Sequence, residues 1–197
     1  MLDADGYEVM RGAVSPEAVR AANRLLFLAV RRFGVSAEEI VQSQGTTFFP
    51  QLRWEPEVWG ALPDLAAERF GWQQGDDWAE PQLLIRFPDE DAEWPLQPHV
   101  DELPPWAPGL AYRGIVGVAL SRAGPEDGAP CVWPGSHVSH DAHPAGHPGS
   151  SRPPEIISLE AGDALLMHPK LSHAGTLNRG PSVRTAIYFR LVAGAGL

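Results

Sequence analysis

The sequence predicts a mainly β protein, a jelly roll of two antiparallel sheets with flanking helices packed outside it. Two observations lead to this fold class. Helical periodicity is confined to the first part of the chain, and the later part alternates short apolar runs with turn residues. Gly and Pro contribute 20 residues each to the 197 without a repeating period, which is typical of a chain with many short strands and turns.

The helical part is expected over about residues 15–71. Its first helix has Ser15 as an N-cap, Pro16 in the first turn and Gly34 after the last turn, which are residue types that begin and end helices. Apolar residues at three- and four-residue spacings between these ends predict one buried face. Pro63 is expected to interrupt the last helix. The predicted helices are 16–33, 35–40 and about 56–69.

The jelly-roll core is expected over about residues 80–192. Short apolar or alternating runs bounded by Pro and Gly predict its strands. A stretch rich in Gly, Pro, Ser and His, residues 140–154, is predicted to be a long loop. Since neither a repeat nor a linker is evident, we expect residues 1–197 to form one domain. The predicted strands are 6–10, 82–87, 115–120, 131–133, 156–159, 164–167 and 183–191.

Composition and charge narrow the class of partner. The formal net charge of −10 and the lack of Lys/Arg clusters disfavour nucleic acid and anionic membranes, so a small-molecule substrate is expected. Neither a secretory leader nor an apolar run long enough to span a bilayer is evident, which predicts a soluble cytoplasmic protein. Cys131 is the single cysteine, so an intrachain disulfide cannot form.

A histidine and a carboxylate stand two residues apart at His99 and Asp101. Because side chains alternate faces along an extended strand, both can reach one metal ion. An imidazole and a carboxylate are two thirds of the facial triad of non-haem iron oxygenases. The third ligand should be a later histidine, with His168 and His173 as candidates. The spacing from His173 to Arg184 favours His173, because a guanidinium on the next strand can bind a carboxylate in bidentate fashion.

Two longer stretches resemble a known family, the phytanoyl-CoA dioxygenase family of iron(II)- and 2-oxoglutarate-dependent oxygenases. The loop over residues 126–137 is similar to the loop of that family that ends in Pro-Gly-Ser-His. The C-terminal signature of the family resembles residues 162–167 followed by His173-Ala174-Gly175, Asn178 and Arg184. Together with the opening strand and helix, the likeness extends over nearly the whole chain.

The resemblance implies a double-stranded β-helix, the cupin-like form of the jelly roll, that uses iron(II), 2-oxoglutarate and dioxygen. It implies His99, Asp101 and His173 as the iron ligands and Arg184 as the partner of the distal carboxylate of 2-oxoglutarate. Gly175 departs from the pattern, since many members have a polar residue there that also contacts 2-oxoglutarate. The second contact is therefore left open among four side chains: Gln44, Gln82, Arg86 and Thr176.

The expected activity is hydroxylation, or another oxidation, of a small organic molecule, with decarboxylation of 2-oxoglutarate to succinate. Asp101 favours this over halogenation, because related halogenases have a small residue in its place. Two alternatives remain open, a non-catalytic metal- or ligand-binding jelly roll and a cupin-type metal enzyme that does not use 2-oxoglutarate. Because the chain is compact for the family, a second copy in a homodimer is one expected way to complete the wall of the substrate pocket.

Overall fold

The computed structural model of the chain describes residues 2, 4–33, 46–48, 59–74, 76–79, 81–89, 97–101, 111–139 and 150–193. Within these ranges the helices are α1 Pro16–Phe33, α2 Leu62–Phe70 and α3 Ser136–Ser139. The strands are β1 Tyr7–Met10, β2 Thr46–Phe48, β3 Asp77–Trp78, β4 Gln82–Arg86, β5 Tyr112–Ala119, β6 Pro130–Val132, β7 Glu155–Ile156, β8 Ala164–Met167, β9 His173–Gly175 and β10 Arg184–Val192.

The described strands form two antiparallel sheets. The larger has seven strands in the order β1-β8-β5-β10-β4-β2, with β3 also paired to β10. The smaller has the order β7-β6-β9, and a bridge between His99 and His173 adds the segment around His99 to its edge. The predicted mainly β jelly roll with flanking helices is thus confirmed.

One face of the larger sheet packs against the helices. Alternation along β5 turns Val116 and Val118 to this side, where they share a buried cluster with Leu62 of α2 and Ala22 of α1. The odd-numbered residues of β10 enter the same cluster; they are Ile187, Phe189 and Leu191. Burial of this apolar face is what holds the helices on the outside of the sandwich.

The opposite face of the larger sheet faces the smaller sheet. Ile115 of β5 and Leu165 of β8 form a second buried cluster with Val132 of β6. The even-numbered residues of β10 lie on this side, beginning with Arg184 and including Tyr188 and Arg190. The face of β10 turned to the smaller sheet therefore carries polar side chains, whereas its opposite face carries the apolar side chains that pack against the helices.

The helix boundaries agree with the sequence at α1 and differ at α2. Helix α1 covers Pro16–Phe33, as predicted, and the N–H of Ala18 is bonded to the hydroxyl of Ser15. Pro63 was expected to interrupt a helix, but it lies in the first turn of α2, where its missing N–H has no partner to lose. None of the helices in the described part of the chain combines the length and apolar character that crossing a bilayer requires.

Several strands were not predicted because they are too short to show a period. β2, β3 and β9 have two or three residues each and form through pairing with longer neighbours, which a local pattern does not reveal. Of the predicted strand over 156–159, Ile156 lies in β7, and Leu159 forms an isolated bridge to Ala123. The predicted helix over 35–40, and residues 140–149 of the predicted loop, lie outside the described residues.

Candidate metal centre

His99 and His173 lie directly opposite each other on neighbouring segments. The N–H of each residue donates to the carbonyl of the other, at 3.0 and 2.9 Å, which is the pattern of a hydrogen-bonded antiparallel pair. Their rings stand on one face with centroids 4.4 Å apart. Asp101 is two residues beyond His99 and projects to the same face, as the period of an extended strand predicts.

These three side chains form a group that could hold a metal ion. One ligand atom from each of His99, Asp101 and His173 lies within 4.8 Å of the others. Nε2 of His173 is 3.6 Å from Oδ1 of Asp101, and both side chains are mostly buried, whereas His99 is exposed. A compact group that is open on the side of His99 can bind an ion and still admit further ligands.

Backbone carbonyls fix the orientation of both rings. Nδ1 of His173 is 3.0 Å from the carbonyl oxygen of Leu171, and Nδ1 of His99 is 3.2 Å from that of Gln97. Because a carbonyl oxygen can only accept, the neutral ring carries its proton on Nδ1 and its lone pair on Nε2. Burial holds the pKa of His173 below its ordinary value, so this ring is neutral at pH 7.

Arg190 holds one oxygen of Asp101. Its Nε donates to Oδ2 of Asp101 at 2.7 Å, and its Nη2 forms an ion pair with the same oxygen at 2.6 Å. The guanidinium lies 5.9 Å from the centre of the Tyr112 ring. Burial raises the pKa of Asp101, but opposing interactions, among them the positive charge and the hydrogen bond of Arg190, leave that pKa below its ordinary value. The carboxylate is therefore charged at pH 7, and Oδ1 is the oxygen turned towards His173.

The three candidate ligands line a cavity of about 200 Å³ between the sheets. Arg184, at the start of β10, lines the same cavity and is only 2% exposed. Its Nη1 donates to the carbonyl of Gly128 at 2.8 Å and its Nη2 to the hydroxyl of Tyr188 at 3.2 Å. Nε of Arg184 is buried and has no hydrogen-bond partner among the described residues. The cavity lining thus includes the buried guanidinium of Arg184, which is held by two hydrogen bonds and keeps one donor, Nε, without a partner among the described residues.

The Pro-Gly-Ser-His loop supports the strand that carries His173. The buried hydroxyl of Ser136 accepts a hydrogen bond from the N–H of Ser172 at 2.8 Å, and the N–H of Trp133 donates to the carbonyl of Ser172 at 2.9 Å. His137 packs on His168, with ring centroids 4.9 Å apart, rather than on the metal candidates. The loop therefore fixes the backbone immediately before His173.

The predicted site residues fall into three groups. The structure brings together His99, Asp101, His173 and Arg184, with Gln82 and Arg86 on the same cavity wall. Thr176 does not line the cavity, and its hydroxyl donates to the carbonyl of Ala129 at 2.8 Å, so its prediction as a 2-oxoglutarate contact is not supported. Gln44 lies outside the described residues.

His168, the alternative third ligand, is not in the group. Its Nδ1 accepts a hydrogen bond from the N–H of Lys170 at 3.1 Å, and burial lowers its pKa to about 4. The ring is thus neutral at pH 7 and packs on His137. Among the rival histidines, the geometry favours His173.

Two residues of the site were missed from the sequence, Tyr188 and Arg190. The available signal was their spacing from Arg184, because residues four and six positions along a strand share its face. That spacing gives no information about the strand segment opposite. The contact of Arg190 with Asp101 depends on where the segment around His99 crosses β10, which only the folded chain shows.

Comparison with known proteins assigns the chain to a family. A sequence model described as phytanoyl-CoA dioxygenase (PhyH) matches residues 64–186, well over half of the chain. The chain belongs to the phytanoyl-CoA dioxygenase family. The family match contains all three candidate ligands and Arg184, and it ends before Arg190.

A curated relative and solved structures agree with the family. The dioxygenase trt7 of Aspergillus terreus (strain NIH 2624 / FGSC A1156) is 31% identical over 137 residues, which are 65% of this chain and 45% of trt7. The chain therefore spans less than half the length of this relative. The non-heme monooxygenase ThoJ, in its apo form, has a TM-score of 0.71 and 20% identity, covering 98% of this chain and 77% of ThoJ.

A further solved structure was determined with ligands bound. The epimerase SnoN, in complex with Fe³⁺, alpha-ketoglutarate and nogalamycin RO, has a TM-score of 0.65 and 19% identity, covering 98% of this chain and 82% of SnoN. At this level of identity the likeness to these solved structures shows that the fold is shared.

Proposed function

We propose that this chain is an iron(II)- and 2-oxoglutarate-dependent oxygenase that hydroxylates, or otherwise oxidises, a small organic substrate. One observation carries the proposal. Two imidazoles and a carboxylate, from His99, Asp101 and His173, converge within 4.8 Å at a cavity whose lining also includes the buried Arg184. The proposed metal ligands and the guanidinium proposed to bind a carboxylate thus line the same cavity.

The donor set suits iron(II). Two neutral histidine nitrogens and one carboxylate oxygen form the facial triad of non-haem iron oxygenases, which leaves open positions for a cosubstrate and dioxygen. His99 and His173 present Nε2, because their Nδ1 atoms are turned to carbonyls. Asp101 presents Oδ1, because Arg190 holds Oδ2. These three atoms are the proposed ligands.

The cavity suits a dicarboxylate such as 2-oxoglutarate. Nε of Arg184 is a buried donor with no hydrogen-bond partner among the described residues, and an anionic oxygen would satisfy it. Although the chain carries a net charge of −10, the described residues of the cavity lining include Arg86, Arg184 and Arg190 and, among acidic residues, Asp101 alone. This local excess of positive charge favours an anion.

The proposed reaction couples two oxidations. When bound, iron(II) with 2-oxoglutarate supplies the activation of dioxygen, so that one oxygen atom enters the substrate, the other enters succinate, and carbon dioxide is released. The side chains of this chain hold and orient the reactants. Arg184 fixes the distal carboxylate, and the apolar side chains of Leu84 and Met167 line the same cavity and limit the entry of water.

The size of the described cavity agrees with a cosubstrate pocket. About 200 Å³ is below the range of roughly 300–1,000 Å³ typical of sites for larger ligands. We propose that this volume receives 2-oxoglutarate and that the organic substrate binds beyond it, on the exposed side of His99. The carboxylate of Asp101 favours oxygen transfer over halide transfer, because it fills the position that a halide would need.

The test is formation of succinate from 2-oxoglutarate by the anaerobically iron-loaded protein after addition of air. Wild type should turn over slowly without substrate, and Asp101→Ala should fall to background, because it removes a metal ligand. Asp77→Ala is the matched control, since Asp77 is exposed on β3 and does not line the cavity. A wild type indistinguishable from Asp101→Ala would overturn the proposal.

A second measurement separates the alternatives. Titration calorimetry that finds tight zinc binding and no affinity for 2-oxoglutarate would favour a non-catalytic binding protein. Activity on a substrate that is independent of 2-oxoglutarate and unaffected by Arg184→Ala would favour a metal enzyme of another type. Binding of 2-oxoglutarate to the metal-loaded protein, lost in Arg184→Ala, supports the proposed function.

A further inference from the structure

Arg86 and Arg184 occupy neighbouring positions on two strands of the larger sheet. They are directly opposite each other in the antiparallel pairing of β4 with β10, and both line the cavity. Burial, and after it the positive charge of Arg184, lower the pKa of Arg86 below its ordinary value. Like charges opposite each other in a sheet destabilise it, so an anion bound between them would relieve an existing repulsion.

Gly175 supplies the room that Arg86 occupies. A Cβ atom built on Gly175 would collide with Nη2 of Arg86 and would lie 2.9 Å from its Cζ and 3.0 Å from its Nε. Gly175 has no positive φ, so its backbone would accept any residue. What the glycine provides is therefore space, and the guanidinium of Arg86 fills that space.

The backbone of Arg86 is fixed to the loop that follows β9. Nδ2 of the buried Asn178 donates to the carbonyl of Arg86 at 2.9 Å and to the carbonyl of Ser182 at 2.8 Å. The same asparagine accepts the N–H of Gly180 at 3.1 Å through Oδ1. The end of β4 is thus held against the segment that leads to Arg184. These hydrogen bonds fix the backbone positions of the two arginines relative to each other.

We propose that Arg86 is a second guanidinium contact for the distal carboxylate of 2-oxoglutarate, beside Arg184, and that Gly175 is the residue that makes room for it. The inference rests on the proposed function. Two planar guanidinium groups match the two oxygens of one carboxylate with charge-assisted hydrogen bonds. Arg86 thereby supplies a contact that Gly175, which has no side chain, cannot make.

The experiment compares two ligands that differ only at the distal end. The dissociation constants of 2-oxoglutarate and of 2-oxovalerate, which has a methyl group in place of the distal carboxylate, are measured by calorimetry on the iron(II)-loaded protein under argon. Arg86→Gln should raise the dissociation constant of 2-oxoglutarate about tenfold or more and change that of 2-oxovalerate by no more than about twofold. Arg86→Lys should lose less than Arg86→Gln, because it keeps the charge but not the planar donors.

Gly175→Ser tests the link between the two residues. In the wild-type background the new side chain should displace the guanidinium of Arg86 and raise the dissociation constant of 2-oxoglutarate. The loss of stability should be small, because the collision is with the end of a flexible side chain. In the Arg86→Gln background the same substitution should not raise the dissociation constant of 2-oxoglutarate any further. Strictly additive effects would show that Gly175 and Arg86 act independently and would overturn their link.

The outcomes separate this inference from the proposed function. If the iron-loaded wild type does not bind 2-oxoglutarate, the proposed function fails. If it binds and Arg86→Gln binds equally well, only this inference fails. Equal weakening of both ligands, or loss of iron affinity, would show that Arg86 is structural. Arg179→Gln is the matched control, since Arg179 is exposed on the loop between β9 and β10.

Discussion

At the scale of single residues, Arg190 decides how Asp101 can meet a metal ion. Its hydrogen bond and its ion pair both go to Oδ2, so Oδ1 is left for coordination. Residues that orient metal ligands in this way typically contribute about 10–100-fold to metal affinity. We therefore expect Arg190→Gln to weaken manganese(II) binding by about that factor, measured by competition with a chelating dye.

The control for this prediction is an arginine of the same size outside the site. Arg24→Gln changes an exposed residue of α1 and should leave the metal affinity at the wild-type value. Arg190→Lys should give a metal affinity between those of wild type and Arg190→Gln, because a lysine keeps the positive charge but not the planar pair of nitrogens that faces Oδ2. Unchanged metal affinity in Arg190→Gln would mean that Asp101 is held by its backbone alone.

Tyr188 completes the donor pattern of Arg184. Its hydroxyl accepts from Nη2 at 3.2 Å, and its ring lies where a Cβ on Gly117 would be only 2.6 Å from Cε1. Tyr188→Phe removes the acceptor and keeps the ring, so a buried N–H loses its partner, at a cost of about 1 kcal/mol. We expect the dissociation constant of 2-oxoglutarate to rise a few-fold, with metal affinity unchanged. A change in the dissociation constant of the metal alone, with that of 2-oxoglutarate unchanged, would contradict this role.

At the scale of elements, Asp163 joins the turn after β1 to the turn before β8. Oδ1 accepts the N–H of Gly12 at 2.8 Å, and Oδ2 accepts the N–H of Glu160 at 2.9 Å and Nη1 of Arg11 at 2.6 Å. Burial raises the pKa of Asp163, but these donors outweigh it and leave the pKa below its ordinary value. The charged form is thus the form that the fold stabilises.

The sign of the pH dependence follows from that direction. A carboxylate whose pKa is lower in the folded state stabilises the protein fully above its unfolded pKa of about 3.9, and the contribution is lost as the pH falls through the lower folded value. Asp163→Asn should lower the free energy of unfolding by about 2 kcal/mol at pH 7 and by less near pH 3.

Urea unfolding at the two pH values measures this effect. Asp64→Asn is the control, because Asp64 is exposed in the first turn of α2 and its substitution should cost only a few tenths of a kcal/mol. If Asp163→Asn lowers the free energy of unfolding by the same amount at pH 3 as at pH 7, the turns require the shape of this side chain and not its charge.

At the scale of the whole molecule, metal binding should be coupled to folding. The proposed ligands come from two segments that are far apart in sequence and meet only when the His99 segment pairs with β9. An ion that binds only the folded state adds about 2.7 kcal/mol at one hundred times its dissociation constant. For a protein of this size that raises the unfolding midpoint by roughly 5–10 °C.

Thermal unfolding with and without manganese(II) measures the coupling. The wild-type midpoint should rise with metal concentration and return on addition of a chelator. A variant with both His99→Ala and Asp101→Ala should show no rise, because it lacks two of the three ligands. An equal rise in that variant would place the ion elsewhere on the molecule.

The local features of this molecule could be predicted from its sequence. The start of α1 follows from Ser15 and Pro16, because capping depends on neighbours within one turn. His99 and Asp101 share a face because an extended chain has a period of two. The fold class follows from the separation of helical and strand patterns, and comparison confirms it.

The tertiary structure decided what the remaining candidates do. Thr176 and Arg86 were equal in the sequence as partners for 2-oxoglutarate. In the fold, the hydroxyl of Thr176 is bonded to a backbone carbonyl, whereas Arg86 lines the cavity over Gly175. Pro63 was expected to interrupt a helix, but in the fold it lies in the first turn of α2, whose Leu62 and Ala66 are buried in the cluster against the larger sheet.

The physical reason for this division is the range of the interactions. Period, capping and turn chemistry act between residues close in sequence, so the chain alone specified α1, the His99–Asp101 pair and the alternating faces of β10. The contact of Arg190 with Asp101, and the space that Gly175 leaves for Arg86, depend on which strands pair and in which register. Register is fixed by burial over the whole sandwich, and only the folded chain contains that information.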